Sequence, residues 1–124
     1  MAKKILIVED DKFLRETLAK KFLAAGMEVQ AGVDGKNGLE ILKTFTPDLV
    51  ILDLLLPDTD GFGVLTEMKK DPKFVPVPVI VLSNLDKPDD MQRAKGLGAK
   101  DFMVKSNFTL NEIINRAKTT LGVA

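Results

Sequence analysis

The sequence predicts an α/β protein, a three-layer sandwich in which helices cover both faces of a five-stranded parallel sheet. Two observations carry this. First, short runs that are apolar at every position and rich in β-branched residues recur along the chain, at Ile5-Leu-Ile-Val8, Leu49-Val-Ile-Leu52 and Val79-Ile-Val-Leu82, with weaker ones at residues 27–31 and 102–104. Such runs are too short for helices and read as strands buried on both faces. Second, each run is followed by apolar residues at helical spacing, and a parallel crossover needs a covering helix.

Taken in order, the first strand gives way to three acids, Glu9-Asp10-Asp11. Leu14, Leu18 and Phe22 then recur every fourth residue, and Gly26 follows as a C-terminal cap. The weak second strand leads to a stripe of Leu39, Leu42 and Phe45. After the third strand, Leu65 and Met68 form a stripe that stops before Asp71-Pro72. Pro76 and Pro78 stand at the start of the fourth strand, where a missing N–H is tolerable. Met91, Ala94 and Leu97 mark the fourth helix, opened by Asp86-Lys87-Pro88 and closed near Gly96 and Gly98. Behind the fifth strand, Thr109-Leu-Asn-Glu112 is a capping box, and Leu110, Ile113, Ala117 and Leu121 line the helix it starts. Five strand–helix units fill residues 1–124 with no linker or low-complexity stretch, so one domain is expected.

The chain has 124 residues, enough to bury a core without a metal or disulfide staple. Lys plus Arg number 18 and Asp plus Glu 18, a neutral balance. That argues against a nucleic-acid module, which needs a basic face, and against a polybasic membrane anchor. Cysteine and histidine are both absent. Thiol and imidazole catalysis, Cys- or His-ligated metals and the usual hydrolase triads therefore fall away. No signal peptide is visible, and no apolar run approaches a membrane span. A soluble, cytoplasmic protein is expected.

The informative feature is how the strands end. The first ends in Glu9-Asp10-Asp11, the third in Asp53, the fourth in Ser83-Asn84 and the fifth in Lys105. In an open parallel sheet all these ends lie along one edge, where ligands bind. Each residue also has a plainer reading. Asp10 or Asp11 could cap the first helix, Ser83 could bond local backbone, and Lys105 could be a solvated lysine. Asp53 is harder to dismiss, because it lies between apolar runs, where an unpaired carboxylate costs several kcal/mol. Hard oxygen ligands without nitrogen or sulfur suit Mg²⁺, which takes one or two carboxylates and phosphate oxygens. With a lysine and a hydroxyl opposite, the set describes a phosphoryl site with a carboxylate as acceptor.

These residues, in order and spacing, resemble the response-regulator receiver domain, the CheY-like family. The likeness covers essentially the whole chain. Its motifs are Ile5-Leu-Ile-Val-Glu-Asp-Asp11, Pro47-Asp-Leu-Val-Ile-Leu-Asp53 followed by Leu54-Leu-Leu-Pro57 and Asp60-Gly61, Val79-Ile-Val-Leu-Ser83, and Gly98-Ala-Lys-Asp-Phe-Met-Val-Lys105. The resemblance implies a flavodoxin-like fold with strand order 2-1-3-4-5. It implies a two-component signalling protein rather than a turnover enzyme, with Asp53 accepting phosphate from a partner kinase's phosphohistidine. Asp10 and Asp53 would bind Mg²⁺ directly, Glu9 through water, and the Leu55 carbonyl would supply a backbone ligand. Lys105 would pair with a phosphoryl oxygen. Ser83 would be the switch hydroxyl and Phe102 the switch aromatic, reshaping the surface of the fourth helix, fifth strand and fifth helix. The implied partners are a sensor histidine kinase or phosphotransfer protein and a downstream target protein, without nucleic acid or membrane.

The chain departs from the family in places. Ser106 follows the lysine where proline, often after a cis peptide, is common. A cis bond without proline costs about 3–4 kcal/mol, so strain or a rearranged loop is expected. Asn84 stands where a small residue is usual, and Leu55 and Leu85 occupy positions that tune hydrolysis of the aspartyl phosphate. Two other readings stay open: a receiver cut from a longer regulator, and a Mg²⁺-dependent phosphatase on a related scaffold. Against the latter, the sequence has no GxxxxGK[ST] loop and no glycine fingerprint after the first strand.

Overall fold

The structure is a computed structural model that describes residues 2–123. The elements run β1 (Lys4–Val8), α1 (Lys12–Ala24), β2 (Glu28–Gly32), α2 (Gly35–Leu42), β3 (Leu49–Leu52), α3 (Gly61–Lys70), β4 (Val79–Ser83), α4 (Pro88–Gly96), β5 (Asp101–Val104), a 3₁₀ turn (Lys105–Asn107) and α5 (Leu110–Leu121). Every strand pair is parallel, and the order is β2-β1-β3-β4-β5. The sheet therefore reverses its direction of growth between β1 and β3, and the crevice beyond their carboxyl ends is where such sheets bind ligands.

Because side chains alternate along a strand, each strand feeds two cores. Leu6, Val8, Val50, Leu52, Val79 and Val81 point to one side, where Leu42 of α2, Leu65 and Met68 of α3 and Ala94 of α4 cover them. Ile5, Ile7, Leu49, Ile51, Ile80 and Leu82 point to the other, under Leu18 and Phe22 of α1 and Ile113, Ile114 and Ala117 of α5. Burying one such side chain is worth about 1.5–3 kcal/mol. Sheet interior and three layers follow from this single division. β2 is the exception in composition: as an edge strand it alternates exposed and half-buried residues until Gly32.

Caps set the helix starts. Asp11 accepts the Leu14 N–H at 3.2 Å, Asp34 the Asn37 N–H at 2.8 Å and Asp60 the Gly63 N–H at 2.9 Å. The capping box of α5 is present in both directions, Glu112 N–H to Thr109 Oγ1 at 3.1 Å and Thr109 N–H to Glu112 Oε1 at 2.9 Å. Gly26 takes a φ of 85°, the left-handed turn that ends α1. α4 is held lightly. Lys87 gives it no side-chain cap, and Ala94 is its one buried residue. The Arg93 guanidinium lies 4.0 Å from the centre of the Phe62 ring and ties it to α3.

Some stripe residues fall just outside their helices. α2 stops at Leu42, so Phe45 packs on the core from the following loop, and Leu97 does the same one residue past α4. No helix among the described residues is long and apolar enough to cross a membrane.

The alternation predicts that truncating Phe22, fully buried on the inner face of α1, will cost about 3–5 kcal/mol. Denaturant unfolding of Phe22→Ala against wild type, with the m-value unchanged, measures it.

Candidate functional site

The sheet places its polar residues by continuing its own ladder. The Glu9 N–H donates to the Gly32 carbonyl at 3.1 Å, and the Asp53 N–H to the Val8 carbonyl at 3.0 Å. Both residues are thereby drawn into the sheet edge, and Glu9 is 2% and Asp53 3% exposed. Lys105, one residue beyond β5, reaches across β4. Its Nζ lies 2.7 Å from Glu9 Oε1 and 2.7 Å from Asp53 Oδ2. The remaining oxygens take backbone donors: the Asp11 N–H to Glu9 Oε2 at 3.1 Å, and the Leu55 N–H to Asp53 Oδ1 at 3.0 Å.

The acid triplet thus divides its work. Glu9 is buried, Asp10 is exposed, and Asp11 caps α1. Arg15, one turn into α1, donates from Nη1 to the carbonyls of Glu9 at 2.9 Å and Asp10 at 3.2 Å, pinning the turn between strand and helix.

Charge sets the chemistry. Burial pushes the Glu9 carboxyl from 4.5 up to about 7, against the lowering hydrogen bond from Lys105. For Lys105, burial lowers the ammonium, but its bonds to Asp53 and Glu9 outweigh that and leave it above the ordinary lysine range. One lysine therefore bridges two buried acids, and Asp10 adds a third carboxylate beside them. Ligand oxygens of Glu9, Asp10 and Asp53 all lie within 4.8 Å of one another. Oxygen donors alone, with an ammonium already drawn between two of them, fit a hard divalent cation such as Mg²⁺.

The other expected residues fall as follows. Ser83 is fully buried at the end of β4, and its Oγ accepts the Leu85 N–H at 3.4 Å; among the described residues no hydrogen bond joins it to Asp53. Phe102, paired with Val81 in the ladder, packs half-buried against the α2–α3–α4 side of the core, as does Leu85. Leu55 and Asn84 are exposed, Leu55 to 50%. The Lys105–Ser106 peptide is trans, as are all the described bonds. Lys105 to Asn107 form a 3₁₀ turn, which the Phe108 N–H closes on the Lys105 carbonyl at 3.5 Å.

Two contributors escaped the sequence reading. Arg15 bonds main-chain oxygens, which leave no mark on residue type. Asp58 accepts N–H groups from Gly35, Lys36 and Thr59 at 2.9, 2.8 and 2.8 Å. The bond from Lys36 is the chief cause that holds its carboxyl below the ordinary range. Gly61 was visible only as part of a motif; a Cβ there would strike the Asp53 carbonyl oxygen and lie 2.6 Å from the Leu54 Cα.

Residues 5–118 match the family described as the response regulator receiver domain. The DNA-binding dual master transcriptional regulator RpaA of Synechocystis sp. is 33% identical over 118 residues, 95% of this chain and 48% of that protein. The probable transcriptional regulator ycf27 of Porphyridium aerugineum is 36% identical over 118 residues, again 95% of this chain and 48% of its own. The chain thus spans about half the length of the curated relatives it matches. Among solved structures, the receiver domain of a signal transduction histidine kinase from Syntrophus aciditrophicus superposes with a TM-score of 0.86 at 31% identity, over 98% of this chain and 91% of its own. The fold is shared too with the chemotaxis response regulator CheY4 of Vibrio cholerae, at a TM-score of 0.89 and 23% identity, over 97% of this chain and 99% of its own.

The raised Glu9 pKa makes metal-free stability depend on pH. Between about 7 and 4.5 the folded chain holds a proton that the unfolded chain has lost, so stability rises as pH falls through that window and is lost as it climbs back. Unfolding in a chelating buffer at pH 5.5 and 8 should show this slope, and Glu9→Gln should flatten it. Gly61→Ala should destabilise the fold by about 1–3 kcal/mol, because backbone rather than a pliable side chain meets the new methyl; denaturant unfolding reads the loss.

Proposed function

The chain belongs to the response regulator receiver domain family of two-component signalling, and on that premise we propose that it takes a phosphoryl group onto Asp53 from the phosphohistidine of a sensor histidine kinase or phosphotransfer protein. A carboxylate oxygen of Asp53 forms the new P–O bond while the P–N bond to the partner's imidazole breaks, and the leaving electron pair stays on that nitrogen. The observation that carries this reading is the Lys105 ammonium shared between Glu9 and Asp53 at the sheet edge, 2.7 Å from each. Such a lysine can follow the incoming phosphoryl oxygens without leaving the acids uncompensated. Phosphoryl transfer asks mainly for alignment and charge neutralisation, so the absence of histidine from this chain is no obstacle.

Glu9, Asp10 and Asp53, with the Leu55 carbonyl, would hold Mg²⁺, which when bound neutralises charge on the acceptor and the transferring group. The Leu55 N–H orients Asp53 by holding one oxygen, leaving the other to Lys105. Once modified, Asp53 carries up to about two negative charges and new acceptor oxygens. Ser83, whose hydroxyl makes a long contact to Leu85, turns to them, and Phe102 follows inward. The α4–β5–α5 face then offers a different surface to a downstream protein target. α4 suits that role, having one buried residue and no side-chain cap. Turnover is confined to the chain's own phosphorylation and dephosphorylation, and its place of action is the cytoplasm.

The length of the curated relatives favours a second arrangement, in which this segment of 124 residues is the receiver of a longer regulator. Contact with DNA would then fall to another part of that protein, since the receiver itself is electrically balanced.

With Mg²⁺ and a small phosphodonor, wild-type protein should gain the mass of one phosphoryl group and Asp53→Asn should not. Steady release of phosphate without labelled protein would favour a phosphatase instead. Leu85→Glu should shorten the lifetime of the label, because an apolar side chain there keeps water from the acyl phosphate; an unchanged decay rate would remove that role. Lys105→Ala should lower labelling and cost about 3 kcal/mol of stability, the expected price of stranding two buried carboxylates.

A further inference from the structure

The loop between β3 and α3 carries Asp53 at one end and the cap of α3 at the other. It is closed on itself. The Leu55 N–H donates to Asp53 Oδ1 at 3.0 Å, the Gly61 N–H to the Leu54 carbonyl at 2.9 Å, and the Gly63 N–H to Asp60 Oδ1 at 2.9 Å. These bonds give the loop a shape but do not fasten it to a neighbouring helix.

Asp58 fastens it. Its Oδ1 accepts the Gly35 N–H at 2.9 Å, and its Oδ2 the Lys36 N–H at 2.8 Å. These are the first two N–H groups of α2, which no carbonyl of that helix can satisfy. Asp34, the residue before the helix, is engaged elsewhere, with the Asn37 N–H at 2.8 Å. A foreign loop thus supplies what the local cap leaves undone. Side chains of the loop and of α3 also crowd the start of α2. A Cβ on Gly35 would run into the Thr59 methyl and lie 3.0 Å from Val64 Cγ2, so a side chain there would push Thr59 and the loop that carries it.

Between Asp58 and Leu55 stand Pro57, whose ring fixes its φ, and Leu56, which packs partly buried on the core. That stretch is short and stiff, so a shift at Asp58 is passed to the Leu55 N–H, and from there to the Asp53 oxygen it holds. We propose that Asp58 is a positioning residue for the phosphoacceptor: its grip on the start of α2 keeps the Asp53 carboxylate turned so that one oxygen meets Leu55 and the other Lys105. The inference rests on Asp53 being the acceptor.

The test uses phosphoramidate at saturating Mg²⁺, below the melting temperature of every variant, with the Leu55 amide followed by NMR. Asp58→Ala should cut the maximal labelling rate roughly three- to tenfold and move the Leu55 amide resonance, the scale on which such indirect contacts act. Asp58→Asn keeps an Oδ1 acceptor and loses the Lys36 bond, so it should fall between. Gly35→Ala breaks the same contact from the other side, and the double variant should label no more slowly than the worse single one. A purely structural role would lower the melting temperature and leave the rate of the folded protein and the Leu55 resonance unmoved. Labelling of Asp58→Ala at the wild-type rate, or full multiplication of the two defects, would overturn the proposal. Wild-type protein that takes no label would overturn the acceptor assignment, and the proposal with it.

Discussion

Two carboxylates sit side by side at the end of an apolar sheet, and the rest of the site is organised by the cost of keeping them there. Like charges at such a distance, cut off from water, are unfavourable by several kcal/mol unless a cation is at hand. Lys105 provides it from the far side of β4, with Nζ 2.7 Å from each acid. The two acids follow the neighbouring strands β1 and β3, and the lysine follows β5, beyond β4, an arrangement set by the order β1-β3-β4-β5. Topology and electrostatics are therefore one constraint. The fold brings the acids together, and their repulsion is answered by a residue that the same fold delivers.

The balance is incomplete by design. Burial leaves Glu9 poised near neutrality, its pKa about 7, and Asp10 adds a further exposed acid beside it. A site in that condition has an appetite for positive charge, and a single ammonium does not exhaust it. Hard cations and the anionic groups that travel with them are the ligands that satisfy it best. The backbone N–H groups of Asp11 and Leu55 keep the carboxylates from rotating toward other partners, so the orientation exists before any ligand arrives.

Much of this was legible in the chain itself. Five apolar runs and the stripes between them fixed the layers, because burial on both faces leaves a strand no polar positions until it ends. The abrupt change from Leu52 to Asp53 and from Val104 to Lys105 then marked the edge. What stayed hidden was main-chain bonding. Arg15 and Asp58 act on carbonyls and N–H groups, and any residue presents those. The departure at Ser106 could be seen as a difference from the family, but its resolution as a 3₁₀ turn with a trans peptide needed the path of the backbone. The edge strand β2 was faint for the opposite reason: with one neighbour and half its side chains in water, it carries little of the hydrophobic signature that marks β1 and β3.

The light anchoring of α4 has a thermodynamic consequence. A helix that buries Ala94 alone, begins without a side-chain cap and leans on one cation–π contact has little local free energy to lose by opening. β4 in the same sheet has all its side chains buried and so has far more to lose by opening. The protein therefore sets a lightly held helix beside a fully buried strand, so the cost of local opening differs steeply between two neighbouring elements.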